Sequence, residues 1–132
     1  MSKPVILCVD DERMVLDSLR TQLAAEFGDA YTYEGAEDGE EALDVIGELY
    51  EEEEARVIVI ISDWLMPGIK GDELLIRIHQ NYPHAIKIML TGQADEVAID
   101  RAKKQANLHS CLSKPWSEAD LLETIKSGLS KI

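Results

Sequence analysis

No apolar run in this chain approaches the ~18 residues a helix needs to cross a bilayer. Met1-Ser2-Lys3-Pro4-Val5 opens directly into a strand-like segment rather than a signal peptide. The expectation is a soluble, cytoplasmic protein with no membrane partner. Positive charge is also scarce: 13 basic side chains stand against 26 acidic ones, a formal net charge of -13. That balance works against direct contact with nucleic-acid phosphates and favours basic or cationic partners. Only two cysteines are present, Cys8 and Cys111, and both lie in apolar, strand-like runs. They read as small core residues in a reducing compartment rather than as a disulfide framework. His79, His84 and His109 share no metal-ligand spacing and read as structural or exposed. There is no linker and no internal repeat, and 132 residues is the size of one ordinary domain, so residues 1–132 are expected to form a single unit.

What is present is an alternation of short apolar runs with longer helical periodicity. Val5 to Val9, Val57 to Ile61 and Ile86 to Leu90 are nearly continuous and rich in β-branched residues, as expected of strands buried on both faces of a parallel sheet. Ala30 to Glu34 and Ser110 to Ser113 are weaker strand candidates. Leu16, Leu19, Leu23 and Phe27 recur at helical spacing, as do Leu74, Leu75, Ile78 and Tyr82, and then Leu121, Leu122, Ile125 and Leu129. Asp38 with Glu41 resembles a capping box, and Ser117 stands where it can cap the last helix. A second helix uses Ala42, Leu43, Ile46 and Leu49 and carries a solvated acidic stripe of Glu40, Asp44, Glu48 and Glu52. It is expected to fray in Glu51 to Glu54. The fourth helix, Ala94 to Ala106, offers only Val97, Ala98, Ala102 and Ala106 to a core and should be the most mobile. Strand then helix, five times, predicts an α/β doubly wound, five-stranded parallel sheet, a flavodoxin-like three-layer sandwich with strand order 2-1-3-4-5.

Open parallel sheets bind ligands beyond the carboxyl ends of their strands. Asp10 and Asp11 follow the first strand, Asp63 the third, Thr91 the fourth and Lys114 the fifth. Three ionised carboxylates in one pocket repel one another unless a hard dication sits among them, and Mg²⁺ is the natural candidate because it takes one or two carboxylates and bridges to phosphate oxygens. Thr91 and Lys114, neither needed to hold the metal, can then bind the remaining phosphoryl oxygens. Singly, each residue has a plainer role: Asp10 or Asp11 as a helix cap, Asp63 as a turn residue before Met66-Pro67-Gly68, Thr91-Gly92 as a turn, Lys114 as a surface lysine. Trp64 and Trp116 flank the site in sequence and are expected to pack rather than touch ligand.

Taken together, Asp10-Asp11, Asp63 within Ser62-Asp63-Trp64-Leu65-Met66-Pro67-Gly68, Thr91-Gly92 and Lys114-Pro115 resemble a response-regulator receiver domain over nearly the whole chain. The resemblance implies that Asp63 is the phosphoacceptor, that Asp11, Asp63 and the backbone carbonyl of Leu65 coordinate Mg²⁺, and that Asp10 acts through metal-bound water. It implies that Thr91 and Lys114 hold the phosphoryl oxygens and that Lys114-Pro115 is cis. It also implies a sensor histidine kinase, a phosphotransfer protein or a small phosphodonor as the source, self-catalysed phosphorylation and dephosphorylation, and an output or homodimer face built from the fourth helix, fifth strand and fifth helix. Lys114-Pro115-Trp116 with Leu90-Thr91-Gly92 further resembles receivers joined to cyclic-dinucleotide phosphodiesterase outputs. Two departures stand out: Cys111 occupies the place of the usual switch aromatic, and Leu65 and Gln93 occupy positions that tune the lifetime of the phosphoryl group. His109, or a rearrangement around Met89 and Leu112, is a candidate substitute for the ring. Competing functions are a haloacid-dehalogenase-type phosphatase, which would want an aspartate where Leu65 stands, and a flavodoxin, whose cofactor phosphate Asp10 and Asp11 would repel. A phosphorylation-independent pseudo-receiver remains the alternative.

Overall fold

A computed structural model of the chain describes residues 3–51, 55–92 and 96–132. The described elements are β1 (Val5–Val9), α1 (Arg13–Phe27), β2 (Thr32–Ala36), α2 (Gly39–Glu51) and β3 (Val57–Asp63), then α3 (Gly71–Asn81), β4 (Ile86–Thr91), α4 (Glu96–Gln105), β5 (Ser110–Ser113) and α5 (Glu118–Leu129). All strand pairings are parallel, in the order β2-β1-β3-β4-β5.

Strand alternation sends side chains to two cores. Val5, Leu7 and Val9 pack with α2, α3 and α4, while Ile6 and Cys8 pack with α1 and α5. The helices follow their apolar stripes: Leu16, Leu19 and Leu23 bury from α1, and Leu121 and Ile125 from α5. Both sequence-read caps form. Asp38 Oδ1 accepts from Glu41 N at 2.8 Å, Glu41 Oε2 accepts from Glu37 N at 3.3 Å, and Ser117 Oγ accepts from Asp120 N at 3.0 Å.

One irregularity in β3 positions the site. The β1–β3 register jumps from Val5 opposite Val57 to Ile6 opposite Val59, so Ile58 and Val59 both turn toward α1 and α5. The bulge reverses the alternation of everything that follows. Asp63 therefore shares the face of Val59 and Ile61, the same face to which Cys8 assigns Asp10 and Leu112 assigns Lys114.

Several expectations need correction. The second strand begins at Thr32, two residues later than Ala30, because Gly28–Ala30 form a 3₁₀ turn. That turn is closed by the edge-to-face rings of Phe27 and Tyr31, 5.7 Å apart, and by Tyr33 Oη donating to Gly28 O at 2.8 Å. Gly28 has φ +57, which its missing Cβ permits. Tyr82 caps α3 rather than lying within it, but its ring packs on the same core as Leu74, Leu75 and Ile78 and stacks on Tyr50 at 4.4 Å. Val97 is 79% exposed, since Ala98 and Ala102 hold the inward phase of α4 and Ile99 supplies its larger contact. Ala94, Gln93 and the stretch Glu52 to Glu54 lie outside the described residues. Cys8 and Cys111 are both free and sit three strand positions apart, about 14 Å at the usual interstrand spacing and too far to bridge.

Lys87 points into the α2/α3/α4 core from the middle of an apolar strand and is 1% exposed. Its ammonium donates to Ala85 O at 2.8 Å and Pro83 O at 3.2 Å, with no carboxylate partner among the described residues, and burial pushes its pKa down to about 8. Below pH 8 the folded state carries the full cost of the buried charge. Between there and the ordinary lysine value of 10.5 the unfolded chain holds more protons, so stability rises with pH. Lys87→Met is expected to be more stable than wild type at pH 7 by ~1–3 kcal/mol, with the gap closing by about pH 10. Urea unfolding of both proteins at the two pH values measures it.

Candidate functional site

The carboxyl edge of the sheet gathers the polar residues that the sequence singles out. Asp10 is fully buried one residue past β1, and its two carboxylate oxygens have separate tasks. Oδ1 accepts from Glu12 N at 2.9 Å, which holds the turn into α1, and Oδ2 accepts from Lys114 Nζ at 2.7 Å. Asp10 does not cap α1, whose N-cap is Glu12. Asp63 ends β3 at 5% exposure, with Oδ1 3.2 Å from the same lysine nitrogen. The Lys114 ammonium thus bridges two carboxylates that come from β1 and β3.

Backbone bonds fix these side chains. Lys114 N donates to Thr91 O at 2.9 Å, Trp64 N to Leu90 O at 2.8 Å, and Gly71 N to Trp64 O at 2.8 Å, so hydrogen bonds tie together the ends of β3, β4 and β5 and the start of α3. The Lys114-Pro115 bond is cis. Thr91 is buried at the end of β4. Asp11, Glu12, Asp63, Leu65, Met66, Pro67, Gly92 and Lys114 line an open cleft of about 510 Å³. Glu12 was not anticipated from sequence, though it completes an acidic run with Asp10 and Asp11, and one carboxylate oxygen from each of the three lies within 4.8 Å of the others.

The electrostatics agree with the geometry. Burial raises the Asp63 pKa above the usual carboxylate value, the Asp10 charge adds to it, and Lys114 opposes both without cancelling them. Burial pulls the Lys114 ammonium down, but its hydrogen bond to Asp10 and the charges of Asp10 and Asp63 outweigh burial and leave its pKa raised. Four carboxylates faced by one ammonium leave the cleft net negative and lined with hard oxygen donors, a set that fits an oxygen-preferring dication.

The flanking tryptophans pack, as expected. Trp116 donates from Nε1 to Gln22 Oε1 at 2.9 Å, and Trp64 rests on the α2/α3 core with the Lys70 ammonium 5.3 Å from its ring centre. Cys111 is half-buried on the α4 side, and burial raises its thiol pKa. His109 lies on the other side, its Nε2 3.2 Å from Thr124 O and its Nδ1 2.9 Å from Lys131 Nζ.

A doubly wound sheet of order 2-1-3-4-5 with an acidic cleft at its carboxyl edge defines the CheY-like class of flavodoxin-like proteins. More narrowly, this chain belongs to the response regulator receiver domain family, whose pattern matches residues 6–126. Its fold is similar to the signal receiver domain of an HD domain-containing protein from Pseudomonas fluorescens Pf-5, at TM-score 0.86 and 32% identity, covering 98% of this chain and 96% of that one. It is likewise similar to a CheY-like response regulator receiver domain protein from Methanospirillum hungatei JF-1, at TM-score 0.83, 31% identity and the same coverage. Among curated proteins it matches the hydrogenase transcriptional regulatory protein HoxA of Cupriavidus necator, 28% identical over 124 residues. That alignment takes in 94% of this chain but 24% of HoxA, so the chain spans about a quarter of that relative's length.

Proposed function

We propose that residues 1–132 act as one receiver unit in which Asp63 accepts a phosphoryl group in a Mg²⁺-dependent reaction and thereby changes the protein's output face. The observation that carries this is the Lys114 ammonium held between Asp10 and Asp63 at 2.7 and 3.2 Å in a cleft that is otherwise acidic. Asp11, Asp63 and the Leu65 carbonyl would hold Mg²⁺ directly, with Asp10 acting through bound water. When bound, the ion neutralises the carboxylates and binds a phosphoryl oxygen.

An Asp63 carboxylate oxygen attacks phosphorus in line, and the bond to the donor breaks with its electron pair going to the leaving group, an imidazole from a phosphohistidine or acetate from acetyl phosphate. Lys114 stays protonated, because Asp10 and Asp63 hold its pKa up. It stabilises the charge that develops on the phosphoryl oxygens, and the Thr91 hydroxyl binds another of them. The exposed Leu65 side chain offers no hydrogen bond to an attacking water, so loss of the phosphoryl group depends on other residues.

The natural donors are a sensor histidine kinase or a phosphotransfer protein. Met14, Leu65 and Val97, exposed by 84, 61 and 79%, lie on the connections and helix starts at the same end of the sheet and offer such a partner an apolar rim around the acceptor. The output is a downstream effector, met through the face of α4, β5 and α5 or through a homodimer on that face. The -13 net charge argues against nucleic acid touching this unit directly. The Lys114-Pro115-Trp116 and Leu90-Thr91-Gly92 motifs favour a cyclic-dinucleotide phosphodiesterase output, and the similar Pseudomonas receiver belongs to an HD domain-containing protein.

Intact-mass measurement after incubation with acetyl phosphate is expected to show one added phosphoryl group, about 80 Da, when Mg²⁺ is present and none when it is chelated. A protein that gains no mass with any phosphodonor in excess Mg²⁺ would instead be a phosphorylation-independent interaction module.

A further inference from the structure

We propose that Arg101 latches α4 to the acceptor residue through the first turn of α3, and that this latch carries the signal in place of the aromatic ring that Cys111 replaces. The inference rests on the assignment of Asp63 as phosphoacceptor.

The chain of contacts starts at the Asp63 backbone. Gly71 packs so closely there that a Cβ on it would come within 2.3 Å of Asp63 O and 2.8 Å of Trp64 Cα, and its N–H donates to Trp64 O at 2.8 Å. Nothing compressible lies between the acceptor strand and the start of α3, so a displacement of one is a displacement of the other.

The next two residues carry the contact outward. Asp72 is 8% exposed, and its Oδ2 accepts from Arg101 Nη1 at 3.1 Å. Glu73 Oε1 accepts from Arg101 Nη2 at 2.6 Å, while its other oxygen accepts from Arg77 Nε at 3.0 Å. Two guanidinium nitrogens on two adjacent carboxylates of one helical turn fix both the position and the angle of the arginine, which a lysine could not do.

This fork matters more here than it would on a well-anchored helix. The buried side chains of α4 are Ala98 and Ala102, with Ala106 just beyond its end and Ile99 partly buried beside them, so dispersion holds α4 less firmly than the leucine-rich helices. At the far side of α4, Cys111 has neither the size nor the ring to report a change at the site. The route through α3 runs entirely through close contacts and charged hydrogen bonds.

Spatial continuity alone does not establish coupling; a thermodynamic cycle does. The test is hydrogen exchange of the Glu96–Gln105 amides with and without beryllofluoride and Mg²⁺, for wild type, Arg101→Met, Arg101→Lys, Asp72→Asn and the Arg101→Met/Asp72→Asn double variant. Acetyl phosphate labelling is measured in parallel.

In wild type, activation is expected to change α4 exchange about tenfold, and in Arg101→Met less than about twofold, with α4 already less protected before activation. Arg101→Lys keeps the charge without the fork and is expected to behave like Arg101→Met. Asp72→Asn keeps the Glu73 bond to Arg101 and an amide oxygen that can still accept, so it is expected to fall between wild type and Arg101→Met, and the double variant is expected to match Arg101→Met rather than add to it. Arg101→Met should still be labelled, because Arg101 does not touch the acceptor. Labelling of wild type with an unchanged α4 response in Arg101→Met overturns the latch and leaves the acceptor assignment intact. Absence of labelling in wild type overturns both.

Discussion

Asp63→Asn is expected to abolish the mass gain from acetyl phosphate altogether, since the amide lacks the nucleophilic oxygen, and at the same time to make the metal-free protein more stable. The second effect follows from what holds the Asp63 pKa up: burial first, then the Asp10 charge. A carboxylate whose folded pKa lies above the ordinary 3.8 binds its proton more tightly in the folded state, so stability is highest in acid. It falls as pH rises from the unfolded value through the folded one. Above that window the whole cost is present, and an asparagine avoids it while its Oδ1 can still accept from Lys114. The variant should therefore melt about 2–5 °C above wild type at pH 7 in EDTA and show no advantage near pH 3. Millimolar Mg²⁺ should narrow the gap, because the dication stabilises wild type by binding only the folded state and binds the variant less well. A variant that melts lower than wild type in EDTA at pH 7 would mean that the four acidic side chains do not strain the site.

Most of the fold was legible because its three central strands are apolar on both faces and its helices carry one apolar stripe each, two patterns that are hard to confuse. The polar residues at strand ends were legible for the same reason, since Asp10, Asp63, Thr91 and Lys114 interrupt or terminate runs that otherwise contain little but core. What stayed hidden is what periodicity does not encode. The bulge at Ile58 lies inside Val57 to Ile61, a run with no alternation to reveal a change of phase, yet it decides which way Asp63 faces. The edge strand β2 begins late because ring packing and a 3₁₀ turn govern its approach. Arg101 meets Asp72 and Glu73 from 29 and 28 residues away, a pairing fixed only once α3 and α4 lie side by side. Lys87 could have been noticed as a charge within an apolar strand, but not its depth.

Gly71→Ala is expected to be the most damaging alanine substitution among the glycines of this chain. The new Cβ would stand 2.3 Å from Asp63 O, 2.8 Å from Trp64 Cα and 3.0 Å from Asp63 C. All three are backbone atoms, so no rotamer change relieves the overlap, and either α3 or the end of β3 must shift. A cost of ~3 kcal/mol or more follows, about 10 °C in melting temperature for a domain of this size. Gly47, in the middle of α2, provides the internal comparison, because a Cβ there meets nothing within 4 Å. Gly47→Ala should gain ~0.5–1 kcal/mol through helix propensity alone. The contrast also bears on function. If α3 gives way, the Asp72–Arg101 fork shifts with it; if β3 gives way, Asp63 leaves its place beside Lys114. Phosphoryl labelling of Gly71→Ala below its melting temperature separates the two. Retained labelling with altered α4 exchange would mean that the helix yielded, while lost labelling would mean that the strand did. A Gly71→Ala protein as stable as wild type would show that the start of α3 is not pressed against the acceptor strand, and the latch would then have nothing to pull on.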